Sequence, residues 1–159
     1  GYPSLQAAWD ACERGDWMFW LIGRVAGGEP NSPERKRLVL AACECARLVH
    51  HRVPPWQDKP RLAIEAAEAW ARGEATEAQV RAARTAAFAV WNVQAATMTA
   101  WAAGAATGAI GAIIEDATKA VFAVEATAWA TQGSHAATLR QCADIVRRHY
   151  PEAPLPQDI

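Results

Sequence analysis

Four cysteines and four histidines are the softest ligands this chain carries. Cys43 with His50, and Cys142 with His149, stand seven residues apart and so share a helix face, which is the placement a metal site needs. Cys43 and Cys45, however, are two apart and point to opposite sides. No Cys-x-x-Cys or His-Glu-x-x-His spacing occurs, and a free cysteine is commonly buried simply as a small apolar group. The residues therefore predict no metal and no cofactor.

Acid–base chemistry would need carboxylates with perturbed pKa values, and most acids here have an ordinary basic neighbour at helical spacing instead. Glu68 pairs with Arg72 on this reading, Glu77 with Arg81, Glu115 with Lys119, and Asp144 with Arg147 or Arg148. Glu65, one turn before Glu68 on an apolar helix, and Glu115-Asp116, which end a long uncharged run, would titrate high if buried. Glu65, Glu68, Glu115 and Asp116 are thus the only carboxylates worth keeping on a catalytic list, and solvent exposure is the expectation for all four. Serine is rare and sits at helix caps, and no glycine-rich loop follows a strand, so neither a Ser-His-Asp triad nor a phosphate loop is expected. The residues predict a protein that is not an enzyme.

Arginine outnumbers lysine thirteen to three, and there are 8 tryptophans against 2 tyrosines and 3 phenylalanines. Arginine and tryptophan together recognise planar anions, by bidentate hydrogen bonds and by stacking. Arg24, Arg61, Arg81 and Arg84 border the tryptophan-bearing or uncharged segments, and Trp17, Trp20 and Trp91 are their aromatic counterparts. These seven are the candidate ligand contacts, for a small anionic nucleotide. In the competing reading the arginines fill exposed helix positions and the tryptophans fill the core. The net charge of -1, with basic residues scattered among acids, offers no face for a nucleic acid polymer.

The elements that must position these residues are helices. From Thr85 to Ile114 the chain runs thirty residues without a charge, mainly Ala, Thr and Gly with Phe88, Trp91, Met98 and Trp101 set among them. Alanine is the best helix former, and small side chains let backbones approach closely, so this segment reads as helix buried on most faces, with breaks near Gly104 to Gly111. Gly104-Ala105-Ala106-Thr107-Gly108 is also a membrane-type small-xxx-small motif. Ala, Thr, Asn92 and Gln94 transfer poorly into lipid and the mean hydropathy is -0.10, so no membrane span is expected.

Ser4 caps a first helix through Glu13; Gly15 and Asp16 close it and cap the next, Trp17 to about Val25. The run from Trp17 to Ile22 is apolar all round, which places it centrally or at a subunit contact. Ser32-Pro33-Glu34 starts a helix to about Arg52, Pro60 opens one that Gly73 ends in a left-handed cap, Thr76 to Gln79 is a capping box, and Ser134 caps a last helix ending at His149. The chain is read as an all-α, single-domain helical bundle with long Ala-rich helices over residues 1–150, followed by a loosely held, Pro-rich C-terminal tail at 151–159. With so much apolar surface, a homo-oligomer held by Ala and Gly contacts is expected. Without a visible leader, the four cysteines fit a reducing cytoplasm better than a disulfide framework.

The segment Asp58-Lys59-Pro60-Arg61-Leu62, continuing to Ala69-Trp70-Ala71-Arg72-Gly73 and followed by the Ala-rich stretch, resembles the Imm5-like immunity proteins of bacteria over about residues 35 to 125. Trp9-Asp10-Ala11-Cys12 near the start, and Cys142-Ala143-Asp144-Ile145 near the end, look like related bacterial and phage proteins. The resemblance implies an all-helical, non-enzymatic protein that neutralises a protein toxin, and it brings no catalytic residues with it. The alternative reading is an oligomeric phage or bacterial sponge that sequesters a small anionic nucleotide signal of host defence.

Overall fold

The computed structural model describes residues 1–93, 98–131 and 134–155, leaving the side chains of 93, 98 and 99 aside. Its α-helices are α1 (Leu5–Ala11), α2 (Gly15–Val25), α3 (Pro33–Arg47), α4 (Lys59–Ala71), α5 (Glu77–Val93), α6 (Met98–Ile114), α7 (Ala120–Trp129) and α8 (His135–His149). Short 3-10 turns lie at His50–Arg52 and Ala117–Lys119, and the described residues contain no strand. The fold is all-α.

Local chemistry sets several helix ends. The Ser4 hydroxyl accepts from the Ala7 amide at 3.0 Å, and that of Ser32 from the Arg35 amide at 3.1 Å, with Pro33 opening α3. At α5 the Gln79 amide donates to Thr76 Oγ1 at 3.2 Å while the Thr76 amide donates to Gln79 Oε1 at 2.8 Å, a reciprocal capping box. Gly73 closes α4 at φ +78, the left-handed cap that glycine adopts without a Cβ penalty.

Five local expectations are corrected. First, α1 stops at Ala11, before Glu13, and Gly15 opens α2 instead of closing α1; its missing side chain serves the approach to α8, where a Cβ would lie 2.6 Å from that of Cys142. Second, α3 ends at Arg47, not Arg52; the chain tightens into a 3-10 turn that buries Val49 and Val53 with Ala102 and Ala130. Third, α6 runs unbroken through Gly104, Gly108 and Gly111, since these glycines serve close packing and not termination. Fourth, Ser134 precedes α8 without a side-chain capping bond, its backbone at φ -122, ψ 26 lying outside the extended region. Fifth, the tail is held at its start: Gln6 Nε2 donates to the Pro151 carbonyl at 3.0 Å, and its Oε1 accepts from the Ala153 amide at 2.8 Å. Pro154 is buried. Gln94 and Gly133 lie outside the described residues.

The uncharged stretch supplies the centre. Every residue from Ala102 to Ile113 is buried, and α3, α4, α5 and α7 all pack against α6. Gly108 marks the tightest crossing, where an added Cβ would sit 2.5 Å from the Ala123 amide nitrogen of α7. Outside this shell α2 and α8 pack on each other, on α7 and on α3. Phe19, Ile22, Leu38, Ile64 and Ile110 are at most 1% exposed, and burying each contributes about 1.5–3 kcal/mol. Of the Ala and Gly residues expected to join subunits, those from Ala102 to Ala112 are buried within the chain itself. No helix among the described residues is long and apolar enough to cross a membrane.

Candidate functional site

The apolar run of α2 divides by helical period. Met18, Phe19 and Ile22 enter the core, whereas Trp17, Trp20 and Leu21, at i, i+3 and i+4, share the outer face. Trp17 is 61% and Trp20 54% exposed. Each carries an arginine on its ring: Arg14 Cζ lies 4.4 Å from the Trp17 ring centroid and Arg24 Cζ 6.0 Å from that of Trp20. Arg14 is oriented by Asp16, which accepts from its Nε at 2.9 Å and its Nη2 at 2.5 Å. Leu5, exposed on α1, extends the face across a groove of about 160 Å³ that Ala8, Trp9, Cys12 and Met18 also line.

A second concavity, of about 200 Å³, opens between α5, α6 and α7. Arg84 and Phe88 come from α5, Thr107, Gly108 and Gly111 from α6, Glu115 from just beyond it, Lys119 from the 3-10 turn before α7, and Phe122 from the start of α7. Arg84 Nη2 meets Glu115 Oε1, and Lys119 Nζ stands 3.7 Å from Glu115 Oε2. Arg84 Cζ lies 5.5 Å from the Phe88 ring centroid, while its Nε is buried without a hydrogen-bond partner. Trp91 backs the cleft through a tilted contact with Phe122, its ring seated over Gly104 where a Cβ would come within 2.1 Å.

The seven candidate contacts thus fall into separate groups. Trp17, Trp20 and Arg24 come together on the outer face of α2, and Arg84 and Trp91 adjoin the cleft. Arg61 is taken up by Glu65 at 2.8 Å and Arg81 by Glu77 at 2.5 Å, each on its own helix. Sequence reasoning missed Arg14, Leu5, Phe88, Lys119 and Phe122. Phe88 was within reach of it, since it lies four residues after Arg84 and so on the same face; Phe122 was not, because the α6–α7 crossing alone brings it there.

None of the four candidate carboxylates is buried. Glu65 and Glu68 are half-buried, Glu115 and Asp116 exposed. Glu68 pairs with Arg47 of α3 and not with Arg72: Arg47 Nε and Nη2 each donate to it at 2.7 Å, while Arg72 turns to Glu74. Asp116 caps the turn after α6, accepting from the Thr118 amide and hydroxyl at 2.7 Å, and these bonds hold its pKa below the usual carboxylate value. Cys43, Cys45 and Cys142 are buried, and burial pushes the Cys43 and Cys45 thiols well up, away from the reactive thiolate. Among the described residues no group of three or more His, Cys, Asp or Glu side chains could hold a metal ion.

Compared with protein-family models, curated proteins and solved structures, the chain matches none of them.

Proposed function

We propose that this chain is a non-enzymatic binding protein that neutralises a protein partner, in the manner of an immunity protein facing a toxin, through the outer face of α1 and α2. The observation that carries this reading is the pair Trp17 and Trp20, more than half exposed on a well-packed helix and each overlaid by an arginine. Tryptophan and arginine are the residues that dominate protein–protein binding energy, because a rigid ring desolvates a large area at little entropic cost. Phe19 and Ile22 anchor the helix from below, so the face is presented without rearrangement.

The test is growth rescue. Bacterial toxin domains are expressed singly in a host with and without this chain, and a neutralised toxin is then challenged with the Trp17→Ala, Trp20→Ala double variant. Loss of rescue, with a circular dichroism spectrum and melting point close to wild type, is the expected outcome; each hot-spot truncation costs about 2–4 kcal/mol of binding. Rescue that survives the double substitution overturns the assignment of this face.

A further inference from the structure

We infer that the cleft between α5, α6 and α7 is a binding site for a small planar aromatic ring carrying one oxyanion, a carboxylate or a phosphate, with Glu115 standing in its place when it is absent. This inference stands apart from the docking reading above and uses different helices.

One guanidinium at this cleft is only half used. Arg14 and Arg47 each give Nε and Nη2 to one carboxylate, and buried Arg35 gives Nε, Nη1 and Nη2 to three carbonyls. Arg84 meets Glu115 through Nη2 while its Nε, shut off from water, donates to nothing. A buried donor without a partner is costly, and the arginine fork is shaped for two oxygens of one planar oxyanion. A ligand that takes both nitrogens would satisfy the donor Glu115 leaves bare. Glu115 can then turn to Lys119, already within 3.7 Å.

The walls select the rest of the ligand. Phe88 and Phe122 line the cleft at 40% and 38% exposure, an aromatic lining next to two cations and one carboxylate. The site thus carries a net positive charge beside apolar rings, which favours an anion attached to a flat hydrophobic body. Gly111 keeps the floor open, since a Cβ there would lie 3.0 Å from that of Lys119 and 3.9 Å from Arg84 Nη2. A volume of about 200 Å³ corresponds to about seven waters at ~30 Å³ each, room for one ring and its acidic group.

The experiment uses fluorine NMR of 4-fluorobenzoate and 4-fluorophenyl phosphate with the full chain, and 4-fluorobenzamide as the uncharged isostere. Broadening of either anion with an affinity of about 0.1–1 mM, and none for the amide, is expected. Arg84→Gln should weaken binding at least about tenfold. Glu115→Gln, which removes the internal competitor but leaves Arg84 and Lys119 in place, should tighten it by about threefold to tenfold. A merely structural ion pair would not show that gain. Equal binding of the amide, no binding of either anion at millimolar concentration, or weakened binding in Glu115→Gln each overturns the site; in folded Arg84→Gln, unchanged affinity does the same.

Discussion

Arg35 joins two segments far apart in the chain, and nothing in its sequence neighbourhood sets it apart from the other arginines of α3. It is 6% exposed and donates to the carbonyls of Gly27 at 2.9 Å, Gly28 at 2.8 Å and Ala112 at 3.0 Å, tying the loop after α2 to the C-terminal turn of α6. Loop carbonyls and those at a helix end lack intrahelical donors, so one guanidinium here satisfies the buried carbonyls of Gly27 and Ala112 and the half-buried one of Gly28. Replacing Arg35 by Met keeps the stem and strands the three carbonyls. The expected loss is about 3 kcal/mol, from charge-assisted bonds of about 1.5–3 kcal/mol partly offset by the cost of burying the cation. Urea denaturation should show a lower midpoint with little change in slope, and an unchanged midpoint would remove Arg35 from this role.

At the scale of elements, the α6–α7 crossing is the contact on which the rest is built. Gly108 brings backbone against backbone, so a methyl group there faces the Ala123 amide at 2.5 Å and Ala123 Cα at 2.9 Å, and no side-chain rotation can relieve it. Gly108→Ala should therefore cost about 1–3 kcal/mol despite the better helix propensity of alanine, which by itself favours the variant by about 1 kcal/mol. A calorimetric melt that rises in this variant would show that the two helices can separate freely. The same crossing delivers Lys119 and Phe122 to Arg84, so a destabilised but folded variant should also lose affinity for aromatic oxyanions.

For the whole molecule, pH is the informative variable. His50, half-buried and lacking a bond to its Nδ1, is held below its ordinary value of 6.5 by burial and then by the charges of Arg47 and Arg61. Glu44 joins α3 to α8 through His149 Nε2 at 2.8 Å and through Arg148; burial alone would raise it, but these bonds outweigh burial and hold it below 4.5. Both groups have lower pKa values folded than unfolded, so over the intervening pH range the unfolded chain binds more protons and stability is lost as pH falls. The His50 contribution should be complete above about pH 6.5 and decline below it; that of Glu44 should be complete above about pH 4.5 and decline through more acidic values. Urea midpoints measured from pH 7.5 to 3.5 should fall in two stages. His50→Asn should flatten the first and Glu44→Gln the second, and a midpoint independent of pH would contradict both assignments.

Local rules written into the chain determined the all-α class, the caps at Ser4, Ser32 and Thr76, the turn at Gly73 and the burial of the uncharged stretch from Ala102 to Ile113, because each follows from the types and spacing of neighbouring residues. Those rules also misplaced the breaks at Gly104 to Gly111: a glycine that ends a helix and one that admits another helix look alike until the partner is known. The exposure of Trp17 and Trp20 beside buried Phe19 was decided by where α7 and α8 lie. So was the pairing of Glu68 with Arg47 across two helices in place of Arg72 within one, and the meeting of Arg84, Glu115, Lys119 and Phe122. A cleft is a property of distant segments brought together, and only packing around α6 decides which of them face it.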